Sequence, residues 1–118
     1  MNKNCTTYKL TNFIGKRWTL LILLELHKGK PSMRYSRLKE SLPGITPKIL
    51  SSRLKELEKE GLILKKVKTD TFPVSCEYSL TKSGNGFINI IKDMKKWALK
   101  WKFKNEKCMS TDCENCNL

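Results

Sequence analysis

The residues best suited to chemistry are sulfur ligands near the C-terminal end. Cys108, Cys113 and Cys116 stand in a C-x4-C-x2-C spacing. Thiolates this close in sequence can share a soft cation, either zinc or an iron–sulfur cluster, once a fourth ligand is found. Cys5, the single histidine His27 or a partner chain could supply it. Cys76 is a poorer choice, because its strand position favours burial. The same three cysteines could instead form a reversible disulfide or stay as inert thiols. Thiol exchange through Cys113 and Cys116 rests on the C-x-x-C spacing alone. No βαβ pattern surrounds the pair, and no rigid element holds it. The chain is therefore not expected to be an enzyme.

What must position these residues is one modest domain. The chain has 118 residues, 39% of them hydrophobic and 30% charged. That is enough apolar material for a single core. Residues 1–104 read as the domain and residues 105–118 as a polar, cysteine-rich tail without periodicity. The formal net charge is +13. Such an excess gains nothing for a compact state, since like charges repel, and points to a polyanionic partner. The most apolar stretch, Trp18 to Leu24, is far shorter than the ~20 residues a bilayer requires, and no cleavage site follows it. The expectation is a cytoplasmic protein with no membrane partner, whose cysteines are thiols rather than structural disulfides.

Periodicity orders the domain. Thr7 to Ile14 reads as a short helix ended by Gly15. Lys16 to His27 is apolar almost all round, as a buried central helix must be. Ser32 to Tyr35 is short and extended. Ser36 is expected to cap a helix running to Leu42, and Pro43-Gly44 makes a turn. Thr46 caps the next helix, Pro47 takes its first position, and Gly61 stands just past its end. After Gly61 the period becomes two. Leu62 to Val67 and Ser75 to Leu80 read as strands around a polar tip, Lys68 to Pro73. Thr81 caps a long last helix reaching about Phe103. Two helices about a tight turn, followed by a hairpin, predict an α+β, mainly α fold: a winged helix-turn-helix with a two-stranded wing.

The helix from about 46 to 60 turns Leu50, Leu54 and Leu57 inward. Lys48, Ser52, Lys55 and Lys59 fall roughly opposite, with Ser51 and Arg53 on the flanks. Lysines and serines suit phosphates and base edges. Its N-terminal half, from Thr46 and Pro47, is expected to enter a major groove, with Ser36 and Arg37 of the preceding helix beside it. Lys65, Lys66, Lys68 and Thr69 belong to the wing, about 65–74, and are expected on a neighbouring groove or backbone. The last helix carries Met94, Trp97 and Trp101 on a broad apolar stripe, more than one small domain readily covers. An uncovered stripe of this kind marks an interface. A symmetric homodimer would bury Ile91, Met94, Trp97, Ala98 and Trp101 together with Tyr8 and Phe13 of the first helix.

Three stretches then resemble one family. Ile14-Gly15-Lys16-Arg17-Trp18-Thr19-Leu20-Leu21-Ile22-Leu23, Leu42 through Glu58, and Glu77-Tyr78-Ser79-Leu80-Thr81 with Gly84 and Trp97 are similar to HxlR-type regulators, relatives of the MarR group. The resemblance covers about residues 5 to 103. It implies a dimeric winged helix that binds near-palindromic double-stranded DNA and regulates transcription. It also implies that Cys5, thirteen residues before Trp18, senses oxidants or electrophiles. One departure is that Thr6 follows this cysteine where many sensor members have proline. The alternative is a winged helix serving protein–protein or RNA contacts without operator reading. Readers of single-stranded RNA stack bases on aromatic side chains, and no exposed aromatic is expected on this face.

Overall fold

The computed structural model describes residues 2–70 and 72–115. Helix α1 spans Thr6–Ile14, α2 Thr19–Lys28, α3 Tyr35–Ser41, α4 Pro47–Lys59, α5 Lys82–Trp101 and α6 Glu106–Ser110. Strands β1 (Met33–Arg34), β2 (Ile63–Lys68) and β3 (Ser75–Leu80) form one antiparallel sheet in the order β1-β3-β2. The fold is the expected winged helix-turn-helix, with one change. The short extended segment after α2 adds β1 to the hairpin, so the sheet has three strands. Met33 lies opposite Tyr78 and Arg34 opposite Glu77.

The core forms where the inward faces of α2, α3, α4 and α5 meet the sheet. Ile22, Leu23, Leu26, Leu38, Leu50, Leu54, Leu57, Ile63, Tyr78 and Ile88 are buried there. Helix α2 is shorter at its start than periodicity implies. Its N-cap is Trp18, and Lys16 and Arg17 lie in the turn before it. Helix α4 matches its punctuation closely. The Thr46 hydroxyl accepts from the Ile49 amide at 3.1 Å. Gly61 takes φ +83°, a conformation open to glycine but strained for other residues. In α3 the expected cap is corrected. The helix starts at Tyr35 with Arg34 as N-cap and no side-chain cap bond, so Ser36 already lies inside the first turn.

Beyond α5 the tail is more ordered than its lack of periodicity suggests. Asn105 caps α6 by accepting from the Cys108 amide at 3.1 Å, and a 3-10 turn follows at Cys113–Asn115. The tail folds back on the domain. Lys95 Nζ donates to the Thr111 carbonyl at 2.8 Å, and Lys30 Nζ lies 3.6 Å from Glu114. No helix among the described residues is long and apolar enough to cross a membrane.

Candidate nucleic-acid interface

The exposed start of α4 is the centre of the site. Thr46, Pro47, Lys48 and Ser52 are exposed there, while Leu50, Leu54 and Leu57 fix the helix to the core. Helix α3 is fastened across this start. The Tyr35 hydroxyl donates to the Pro47 carbonyl at 3.4 Å and lies 3.4 Å from Ser51 Oγ. Ser51 is therefore half-buried and engaged within the chain. Ser36 and Arg37, one and two residues after Tyr35, are exposed on the same short helix.

Farther along α4 the flank of the expected basic face is engaged within the chain. Arg53 Nη1 lies 3.9 Å from Glu56 Oε2, and the same oxygen binds Lys16 Nζ at 2.6 Å. Arg53 thus belongs to an ion cluster joining α4 to the turn before α2. Lys55 and Lys59 are exposed but line a groove of about 770 Å³ whose other wall is α1, through Thr6, Lys9, Leu10 and Phe13. They share the face of Lys48 and Ser52 but stand about two to three turns beyond Lys48 along the helix.

The wing divides, because successive strand residues point to opposite faces. Lys66 and Lys68 share a face with Glu77, to which Lys66 is the register partner. Lys68 Nζ binds Glu77 Oε1 at 3.1 Å, and Ser32 Oγ lies 3.4 Å from Glu77 Oε2. Arg34 is the register partner of Glu77 on its other side. Lys65 points the opposite way, opposite Tyr78. Lys65, Lys66 and Thr69 are exposed. The expectation of a face free of exposed aromatics is corrected by Phe72, which is fully exposed at the wing tip. Sequence reasoning missed Arg34 and Glu77 at this site. Their pairing joins positions more than forty residues apart, which no local pattern reports.

Helix α5 presents the second surface. Ile90, Met94, Trp97 and Trp101 are exposed, Trp97 to 57% and Trp101 to 64%. Their spacing places them on one stripe. Ile91, expected in this stripe, is only 9% exposed and packs in the core of its own chain. Ile90, one residue earlier, takes its place at the surface. Tyr8, Phe13 and Ala98 are half-buried, and Phe13 packs against the core.

Among the cysteines, Cys5 is the N-cap of α1. The Tyr8 amide, then that of Thr7, hold its thiol below the ordinary range, as a helix N-terminus does for a thiolate. Cys76 is half-buried on β3, and Cys108 and Cys113 are half-buried free thiols in the tail. Cys116 lies outside the described residues. Among the described residues no three His, Cys, Asp or Glu side chains gather closely enough to hold a metal ion. His27 is buried at the end of α2. Burial, followed by the charges of Lys30 and Lys92, lowers its pKa and favours the neutral ring.

The family model for HxlR-like helix-turn-helix proteins matches residues 13–106. The chain belongs to this family. It is 41% identical over 93 residues to YvaP, an HTH-type transcriptional regulator of Bacillus subtilis (strain 168), covering 79% of this chain and 83% of that protein. A solved MarR-family protein of Porphyromonas gingivalis W83 superposes with TM-score 0.76 at 34% identity, covering 86% of this chain and 96% of that one. The reduced form of the transcriptional regulator YodB from B. subtilis superposes with TM-score 0.72 at 29% identity, covering 86% and 97%.

Proposed function

We propose that this HxlR-like protein is a sequence-specific, double-stranded-DNA-binding transcription regulator that works as a homodimer on near-palindromic operators. The observation that carries the reading is the capped start of α4. It is held rigidly by Tyr35 and presents Thr46, Lys48 and Ser52 to solvent. A helix N-terminus offers unpaired amides and positive dipole to phosphate, and its first turns reach base edges. Lys66 and Thr69 of the wing, with Arg37 of α3, supply phosphate contacts on either side. Pairing through the α5 stripe would set two such helices about 34–36 Å apart, one turn of duplex. The likeness to YodB, solved in a reduced form, supports a redox role for Cys5, whose environment favours thiolate.

The test is selection of bound genomic fragments, followed by affinity measurements on the preferred site with reduced and oxidised protein. Lys48→Ala and Ser52→Ala are expected to relax base preference, each by about 1–3 kcal/mol at one position. Lys66→Ala is expected to weaken all duplexes alike and to lower the salt slope by about 1. Equal affinity for every duplex, with no preferred fragment, would overturn the reading.

A further inference from the structure

Phe72 stands fully exposed at the wing tip, and Pro73 and Val74 beside it are exposed as well. Three consecutive apolar residues at the end of a hairpin add nothing to the core. An apolar patch held out in water marks a contact surface. The tip is continuous with the start of α4. Phe72, Pro73 and Val74 share one cavity of about 460 Å³ with Arg34, Tyr35 and Ser36. The Tyr35 hydroxyl in turn engages Pro47 and Ser51 at the start of α4. One residue thus joins the wing tip to the helix start.

Cations flank the apolar tip. Successive residues of β2 point to opposite faces, so the exposed Lys65 and Lys66 place one cation on each face of the hairpin. Arg34 of β1 is exposed too. Asp70 is the only carboxylate between Thr69 and Val74, and these three cations outnumber it. An apolar ring with a cation on either side matches a duplex groove, which has phosphates along each edge and stacked bases within. With α4 in the major groove, the neighbouring groove is the minor one. Its width of about 6 Å admits a ring but not a helix.

Building on the DNA-binding reading above, we propose that Phe72, backed by Pro73, is an apolar wedge that enters the minor groove, partly unstacks one base step and bends the duplex. Phenylalanine and proline are among the side chains that minor-groove proteins insert between bases. The cations on the two faces of the hairpin hold the phosphates on either edge while the ring enters. The wing then reads sequence by deformability. Pyrimidine–purine steps such as TA and CA unstack readily, whereas A-tracts are stiff. Specificity therefore extends to bases that no side chain hydrogen-bonds.

The experiment uses the full chain, reduced, with the duplex preferred in genomic selection. Energy transfer between dyes at the duplex ends reads bending. 2-Aminopurine, scanned across the steps flanking the bases read by α4, brightens where a base unstacks. The parent should bend the duplex by at least about 20° and brighten one step. Phe72→Ala should bind the site at least about five-fold more weakly, the least that a ring stacked on a base contributes, and should lose both the bend and the brightening. Phe72→Leu should keep part of both, because leucine also serves as a wedge. Exchanging the brightened step for an A-tract should weaken the parent but not Phe72→Ala. Because the ring is fully exposed, every variant should melt with the parent. A straight complex, or equal bending by parent and Phe72→Ala, would overturn the proposal while operator binding, read separately through Lys48→Ala, stands. No preferred duplex for any variant would remove both. An effect of Phe72→Ala confined to the single-stranded form of the site, or to vesicles of equal phosphatidylserine and phosphatidylcholine, would assign the tip another partner and overturn the proposal.

Discussion

Two glycines two residues apart on α5 should respond oppositely to the same change. At Gly84 an added Cβ would press into the Leu62 carbonyl oxygen, well inside van der Waals contact, and lie 3.2 Å from Leu80 Cδ2. That carbonyl also accepts from the Thr81 amide at 3.0 Å. At Gly86 nothing lies within 4 Å of an added Cβ. For Gly84→Ala, overpacking against backbone costs about 1–3 kcal/mol, and displacing the shared hydrogen bond adds about 1 kcal/mol. Better helix propensity returns about 1 kcal/mol. The net loss is about 1–3 kcal/mol, a fall in Tm of roughly 4–12 °C for a domain of this size. Gly86→Ala keeps only the propensity gain, up to about 1 kcal/mol, or a rise of a few degrees. Thermal unfolding followed by circular dichroism reads both. If the two variants shift together, or Gly84→Ala melts no lower than the parent, the close approach of α5 to Leu62 is not what requires glycine there.

Three further outcomes are expected. Thr46→Ala removes the cap to the Ile49 amide and should cost about 1 kcal/mol of stability, with Thr46→Asn recovering most of it; equal melting of all three proteins would refute the capping role. For the proposed homodimer, replacing Trp97 and Trp101 by alanine should leave monomer in sedimentation at micromolar concentration, because aromatic anchors buried at an interface are worth about 2 kcal/mol or more each; an unchanged dimer would move the interface elsewhere. In a variant retaining only Cys5, alkylation should quicken with pH through a midpoint below the ordinary thiol value of about 8.5, because the Tyr8 and Thr7 amides favour the thiolate. Above the lowered pKa the rate levels off, below it the protonated thiol reacts slowly, and a midpoint at or above the ordinary value would contradict that environment.

Local signals were the legible ones. Thr46, Pro47 and Gly61 bracket α4 by chemistry that acts within a few residues, and the structure places the helix there. The change of period after Gly61 likewise marks β2 and β3. Long-range pairing was not legible. Strand β1 has two residues, too few for any alternation to register, and exists because β3 accepts it. The stripe on α5 was legible as apolar but not as two surfaces. Ile88 and Ile91 turn inward while Ile90 and Met94 turn outward, and neighbouring apolar positions differ by only about 100°. Where the core ends depends on what packs against the helix. Asn105 ahead of α6 was a local cap signal that the polarity of the tail obscured.

The net charge also gains meaning from its distribution. Four of the eleven acidic residues hold the scaffold: Glu56 with Lys16 and Arg53, Glu77 with Lys68, and Asp112 and Glu114 with Lys92 and Lys30. These pairs neutralise lysines at the joints between elements. The exposed residues at the start of α4 and on the adjoining α3, Lys48 and Arg37, have no such partner among the described ion pairs, and Lys66 projects from the wing. A polyanion approaching this side therefore meets these cationic side chains where the helix dipole of α4 adds to their charge. Neutralising a scaffold lysine such as Lys16 should then disturb folding more than the salt dependence of DNA binding. Neutralising Lys48 or Lys66 should do the reverse. Charge alone permits a nucleic-acid partner; the cationic side chains beside the N-terminus of α4 give that partner one place where charge and helix dipole act together.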